Sequence, residues 1–178
     1  MTSWRPLSDS DFTAVAALSL IHISEPTRPA DAAHPGLPER PEILRDKRAH
    51  FPDGCLALDS AGRVVGYGLA HPWRLHAVPK LDQPLGGLPP RPDCLYLHDV
   101  VVAPEARGQG AAGIYVARMA DLARARGLPA LALVSVHDTW PMWQRHGFGV
   151  VDSPGLGAVL HDYGPSARYM VRPVTGVS

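Results

Sequence analysis

The stretch from Cys94 to Gly127 constrains this chain most: a mostly apolar run, a glycine-rich turn and a long helical pattern in immediate succession. Leu95 to Val102 is rich in valine and bounded by Asp93 and Pro104, which suits a strand covered on both faces. Pro104 has no N–H to donate and ends the ladder. Beyond the turn, apolar residues recur at Ala112, Tyr115, Val116, Met119, Leu122 and Ala123, while Arg118, Asp121 and Arg124 fall elsewhere on the wheel. That is an amphipathic helix, with Gly127 as its stop.

A strand, a glycine turn and a helix start together form an anion site. The first N–H groups of a helix have no internal partner, and the helix dipole is positive there. Gly108, Gly110, Ala111, Ala112 and Gly113 carry little or no side chain, so a phosphate can reach the backbone. Glycines before a helix also serve purely steric ends, so the order of residues has to decide. It reads Val102-Ala103-Pro104-Glu105-Ala106-Arg107-Gly108-Gln109-Gly110-Ala111-Ala112. This is neither the dinucleotide fingerprint nor a P-loop, which would need Lys-Ser/Thr.

That order resembles motif A of the GNAT superfamily of acyl-CoA-dependent N-acyltransferases: an apolar strand ending Val-x-Pro, two residues, then Arg or Gln-x-x-Gly-x-Gly or Ala opening a helix. Trp140-Pro141-Met142-Trp143-Gln144-Arg145-His146-Gly147-Phe148 is similar to the end of that family's motif B, an aromatic pair followed by three residues and Gly-Phe. The likeness covers roughly Cys94 to Asp152 and reaches more loosely to the elements on either side.

The rest of the chain is compatible. Its 178 residues suffice for one domain, expected to span 1–178, with a sizeable core. Lys+Arg and Asp+Glu both number 17, so no basic field favours nucleic acid. Two cysteines make no disulfide framework, and no long apolar run or leader pattern is present; a soluble, cytoplasmic protein with no membrane partner is expected.

In order, Ser3 to Ser8 suggests a first strand anchored by Trp4. A helix is expected from Asp11 to about Ile21, capped by Asp9 or Ser10. Ser19 to Pro29 resembles a translated sequencing-adapter fragment, so the end of that helix is expected to be partly foreign to a native pattern. Pro26 to Pro41 is too rich in proline for a regular element. Pro41 to His50 suits a short helix. Cys55 to Asp59 and Arg63 to His71 suit a hairpin through Ser60-Ala61-Gly62. His71 to Asp93 is a loop with six prolines, a candidate wall for an acceptor pocket. Ala130 to Val136, a helix to about His146, Gly149 to Asp152 and Arg168 to Pro173 complete an α/β chain with a sheet of mixed direction.

The resemblance implies a mostly antiparallel, twisted sheet of about six to seven strands, flanked by about four helices and with a splayed central strand pair. It implies acetyl-CoA as co-substrate, no metal, and a small-molecule or amino-acid-like primary amine as acceptor. Homodimers are common in that family, so self-association belongs to the expectation. Carried over residue by residue, Val100, Val101 and Val102 offer main-chain partners to the pantetheine arm. The amides from Gly108 through Gln109, Gly110, Ala111 and Ala112 to Gly113 cradle the pyrophosphate. Arg107 orients the loop or pairs with phosphate. Asp138 touches the pantetheine arm or caps the following helix.

For the base, Asp99 is an acid inside an otherwise apolar strand, serving catalysis or a structural pairing. Strand alternation puts it opposite Tyr96, His98 and Val100 unless a bulge intervenes. His98 is the second candidate, or a packed residue. The family usually has a tyrosine, as general acid, where this chain has Trp143, beside the thioester sulfur; indole N–H is no useful proton donor. Tyr163 replaces that tyrosine if its segment folds back. Otherwise the chain is an acyl-CoA sensor without turnover.

Overall fold

The computed structural model describes residues 1–23 and 39–174. Most of the proline-rich stretch after the first helix therefore lies outside the described residues, as does Ser24 to Pro29 of the adapter-like segment. Seven strands form one sheet: β1 (Thr2–Pro6), β2 (Leu56–Ser60), β3 (Arg63–Trp73), β4 (Cys94–Val102), β5 (Ala130–Ser135), β6 (Gly149–Val150) and β7 (Arg168–Pro173). Their spatial order is β1-β2-β3-β4-β5-β7-β6, with β4 and β5 parallel and every other pair antiparallel. The helices are α1 (Phe12–Ile23), α2 (Pro41–His50), α3 (Ala111–Ala125), α4 (Trp140–Arg145) and α5 (Gly157–Asp162). The last is a short helix of 6 residues that the sequence pattern does not announce. No helix among the described residues is long and apolar enough to cross a membrane.

The register of β3 against β4 sorts side chains onto two faces. Gly66, Gly68 and Ala70 share one face with Val102, Val100 and Leu97; Tyr67, Leu69 and His71 share the other with Val101, Asp99 and Tyr96. Helix α3 covers the first. It approaches so closely that a Cβ on Gly68 would sit 2.3 Å from the Tyr115 ring. Tyr115 is fully buried, and its hydroxyl donates to the Gly54 carbonyl at 2.8 Å. Helices α1 and α2 cover the second face, where Phe12, Val15, Leu18 and Leu44 join the main core. Further along that face, Cys94, Tyr96, Ala132, Leu156 and Tyr169 form a smaller cluster under Trp73, Leu75 and Val78.

Two boundary expectations move. The helix entry after β1 is capped by Ser8, not Asp9 or Ser10: a 3-10 turn over Asp9–Asp11 lets the Asp11 carboxylate accept from both the N–H and the hydroxyl of Ser8 at 2.8 and 2.7 Å. At the start of α4 the N-cap is Thr139, not Asp138.

Candidate functional site

The start of α3 is built for close approach. Gly108 and Gly110 have φ of +77° and +74°, a left-handed conformation that side chains disfavour, and a Cβ on either would meet open space. Ile114 is the helical residue whose N–H reaches back to Gly110, so the amides of Ala111, Ala112 and Gly113 point out of the helix end. The cradle is fixed from a distant part of the chain, since Trp4 Nε1 donates to the Ala111 carbonyl at 2.9 Å. Arg107 lies in this turn, and its Nε donates to the Val102 carbonyl at 3.0 Å, closing the turn onto the end of β4.

Next to the cradle the sheet opens. The β4–β5 ladder holds only Leu95↔Leu131 and Tyr96↔Ala132, although β4 runs on to Val102 and β5 to Ser135. The expected splay is present. The Ala103 N–H bonds to the Val65 carbonyl at 2.8 Å, which makes that pair a hydrogen-bonded one. Such pairs alternate along an antiparallel ladder. Hence Val101 and Asp99 spend their backbone groups on β3, whereas the N–H and C=O of Val100 and the N–H of Val102 point into the gap beside β5. An extended chain of amides entering this cleft would find strand-like partners there.

On the α1/α2 face a bulge changes the predicted geometry. Leu69 pairs with Asp99 but Ala70 pairs with Leu97, so His98 is the extra residue. Simple alternation puts Asp99 opposite Tyr96; the bulge brings both to one face and turns Val100 to the other. Asp99 accepts a 2.6 Å hydrogen bond from the Tyr67 hydroxyl. Burial, with the Asp99 charge adding to it, pushes the Tyr67 phenol well above its ordinary range, so that hydroxyl stays a donor.

His98 meets residues that the sequence pattern does not single out. Its Nε2 lies 2.8 Å from Oε2 of Glu39, and Oε1 of Glu39 accepts from Lys47 Nζ at 3.1 Å and from the Asp82 N–H at 3.1 Å. Lys47 is 1% exposed and the side chains of Glu39 and His98 are 9% and 4% exposed, so the three charged heads are largely buried. Burial pushes the Glu39 carboxyl up, but the neighbouring His98 and Lys47 outweigh it and hold it at about 2. His71 stands beside this group, its ring 5.7 Å from that of His98. Burial, then the proximity of His98, lowers its imidazole to about 3, so it is neutral. One signal for Lys47 exists in sequence: it falls on the helical face of Ile43 and Leu44. His71 sits in an apolar strand run, as Asp99 does. Glu39 has no local signature.

Tyr163, immediately after α5, does fold back over this face. Its hydroxyl donates to the Pro79 carbonyl at 2.7 Å, and it is hydrogen-bonded to Tyr96. Burial, helped by Glu39, raises its pKa. The 74–93 loop is thereby tied down at several points: to α2 through Arg40–Asp82 and the Leu85 N–H on Asp46, and to β7 through the His76 N–H on Tyr169. Asp138 lies at the far end of β5 in a left-handed conformation beside His137, and its N–H bonds to Ser166 Oγ at 3.4 Å. Trp143 belongs to the core, edge-on to Phe148. Among the described residues no group of three His, Cys, Asp or Glu could hold a metal ion.

A glycine turn at a helix start, opening beside a splayed parallel strand pair, defines the candidate site of this α/β protein. The family model for the acetyltransferase (GNAT) family matches residues 17–148, and the chain belongs to that family of acyl-CoA-dependent acyltransferases. Among solved structures it is similar to Ard1 from Thermoplasma volcanium (TM-score 0.70, 16% identity, 98% of each chain covered). It is similar also to the loading GNATL domain of CurA from Lyngbya majuscula (TM-score 0.74, 14% identity, 98% of each). A third is N-acetylglutamate synthase from Neisseria gonorrhoeae, complexed with coenzyme A and N-acetyl-glutamate (TM-score 0.66, 18% identity), where 98% of this chain covers 35% of that one. At these identities the likeness is one of fold. No curated protein sequence matches the chain.

Proposed function

We propose that the protein is an N-acetyltransferase moving an acetyl group from acetyl-CoA to a primary amine of a small-molecule or amino-acid-like acceptor. The observation that carries this reading is the open edge of β4 beside the glycine cradle. The amides from Gly108 to Gly113 hold the pyrophosphate, and Val100 and Val102 pair with the pantetheine arm. Bound acetyl-CoA supplies an electrophilic thioester carbon. A backbone N–H in the gap, with Val100 the nearest to the bulge, is placed to stabilise developing negative charge on oxygen.

An ordinary alkyl amine has a pKa near that of lysine, about 10.4, so a residue must take a proton before attack. His98 and Asp99 both face the side away from α3. Asp99 is committed to Tyr67, which favours His98 as the acceptor of that proton. The nitrogen lone pair then forms the C–N bond, the C–S bond breaks with its electrons on sulfur, and the second N–H proton passes to the thiolate. A reducing, cytoplasmic setting is part of the proposal, and Cys55 and Cys94 are free and buried.

One observation favours a second reading, an acyl-CoA sensor. Trp143 stands at the tyrosine position, and the hydroxyl of Tyr163 is engaged with Pro79. A thermal-shift titration tests the shared premise. Ligand at about 100 times its Kd stabilises the native state by roughly 2.7 kcal/mol, a rise of about 5–10 °C for a domain of this size. Absence of a saturable rise with acetyl-CoA and coenzyme A would sink both readings. Thiol release in an amine panel then separates them: turnover supports the enzyme, and binding without turnover the sensor.

A further inference from the structure

Among the described residues, three buried side-chain polar atoms have no hydrogen-bond partner, all on the α1/α2 face: His98 Nδ1, His71 Nε2 and Trp73 Nε1. Buried polar groups are nearly always paired, so each such atom needs an explanation. These three belong to one aromatic group. The His71 ring is 5.7 Å from that of His98 and 5.2 Å from that of Trp73.

Their chemistry follows from their neighbours. His98 Nε2 faces the Glu39 carboxylate, which only accepts, so Nε2 carries a proton; in the neutral ring Nδ1 is then a bare lone pair. His71 Nδ1 faces the Pro72 carbonyl at 3.2 Å, so it donates and Nε2 is likewise bare. Trp73 Nε1–H is a donor only. The group therefore has two unused acceptors and one unused donor. The complement is a nitrogen with at least two N–H bonds, adjacent to an oxygen that can accept.

We propose that His98 Nδ1, His71 Nε2 and Trp73 Nε1 form the seat of the acceptor, a primary amine with a nearby oxygen of the amino-alcohol or α-amino-carbonyl class, and that Glu39, held by Lys47, is the positioning residue that makes His98 Nδ1 the proton acceptor. This deepens the acetyltransferase reading and rests on it for the reaction, though not for the binding. One ammonium proton moves to His98 Nδ1, and the imidazolium is stabilised across the ring by the Glu39 carboxylate. Lys47 keeps the carboxylate ionised and immobile, so it is not itself the base. Among the described residues, the other titratable groups around the seat are Tyr67 and His71 from β3, Tyr96 and Asp99 from β4, and Tyr163 after α5. Tyr67 is a fixed donor to Asp99, and Tyr163 is bonded to Pro79 and Tyr96. None of them competes for the Glu39–His98 bond.

The test uses the full chain with coenzyme A bound and reads the imidazole nitrogens by 15N NMR. Before any amine is added, His98 should be the Nε2–H tautomer and His71 the Nδ1–H tautomer; a proton on His98 Nδ1 would overturn the proposal. Ethanolamine should move the signals of His98 Nδ1, His71 Nε2 and the Trp73 indole, and bind at least tenfold more tightly than n-propylamine, which lacks the oxygen. Silent ring nitrogens with coenzyme A still bound would overturn the seat and leave the acyltransferase reading intact. Ring nitrogens that respond while no amine releases thiol would leave the seat standing and sink the acetyltransferase.

In turnover with ethanolamine, Glu39→Gln should lower kcat at least tenfold and shift the acidic limb of its pH profile to lower pH, because the imidazolium loses its counter-charge. An unmoved limb would remove Glu39 from the mechanism. The double variant Glu39→Gln/Lys47→Met avoids stranding a buried ammonium and should give the same pH shift.

Discussion

The two sides of the β3–β4 pair are built by opposite means. On the α3 side the site is backbone: two left-handed glycines, the amides of a helix end and the unpaired edge of β4, all within Val100 to Gly113. On the α1/α2 side it is side chains from remote segments: Glu39 and Lys47 around α2, His71 and Trp73 at the end of β3, His98 at a bulge, and Tyr163 after α5. A backbone site needs little from side-chain identity except smallness, so it can serve a cofactor common to a whole family. A side-chain site can vary with its acceptor.

Substitutions can break this contrast. The largest effect is expected for Gly110→Trp, where a left-handed φ of +74° and an indole in the open cradle act together. The thermal shift with coenzyme A should vanish, while the seat of the acceptor keeps its imidazole tautomers. Retained coenzyme A affinity would mean that the cradle is misassigned.

Acid should strike the other side first. His71 has its folded pKa lowered to about 3 by burial, then by His98, against an ordinary 6.5. Between these values the unfolded chain binds more protons, so stability falls as pH drops from about 6.5 toward 3. Glu39, held at about 2 against 4.5, has the same sign, its contribution being present above 4.5 and lost as pH falls through 2. His71→Leu should flatten the upper part of that slope in urea midpoints measured from pH 7 to 4. An unchanged slope would show that His71 is not the acid-sensitive group.

Gly68→Ala sharpens the contrast from the α3 side. A methyl 2.3 Å from the buried Tyr115 ring forces that ring or the strand to move, a cost of about 1–3 kcal/mol. The melting temperature should fall by several degrees while the pH slope is unchanged. The smallest effect is expected for Arg107→Ala. Its bond to the Val102 carbonyl contributes about 1 kcal/mol or less at an exposed position, so coenzyme A affinity should weaken only a few-fold. A loss of a hundredfold or more would mean that the guanidinium itself grips phosphate.

The sequence alone determined the α3 side. Strand, turn and helix there are adjacent in the chain, and their signals are local: a valine run, Pro104, two glycines, an apolar stripe. Hence β4, α3 and the glycine turn between them lie where the pattern puts them, and helix α2 runs from Pro41 to His50 as its proline start predicts. Tertiary structure alone decided the rest. Whether Asp99 and Tyr96 share a face depends on one extra residue in the β3–β4 register, which no period-two pattern encodes. Glu39 reaches His98 across 59 residues of chain, and Tyr163 reaches Pro79 across 84. Contacts of that separation leave no periodicity behind; they exist only once the sheet has brought both ends together.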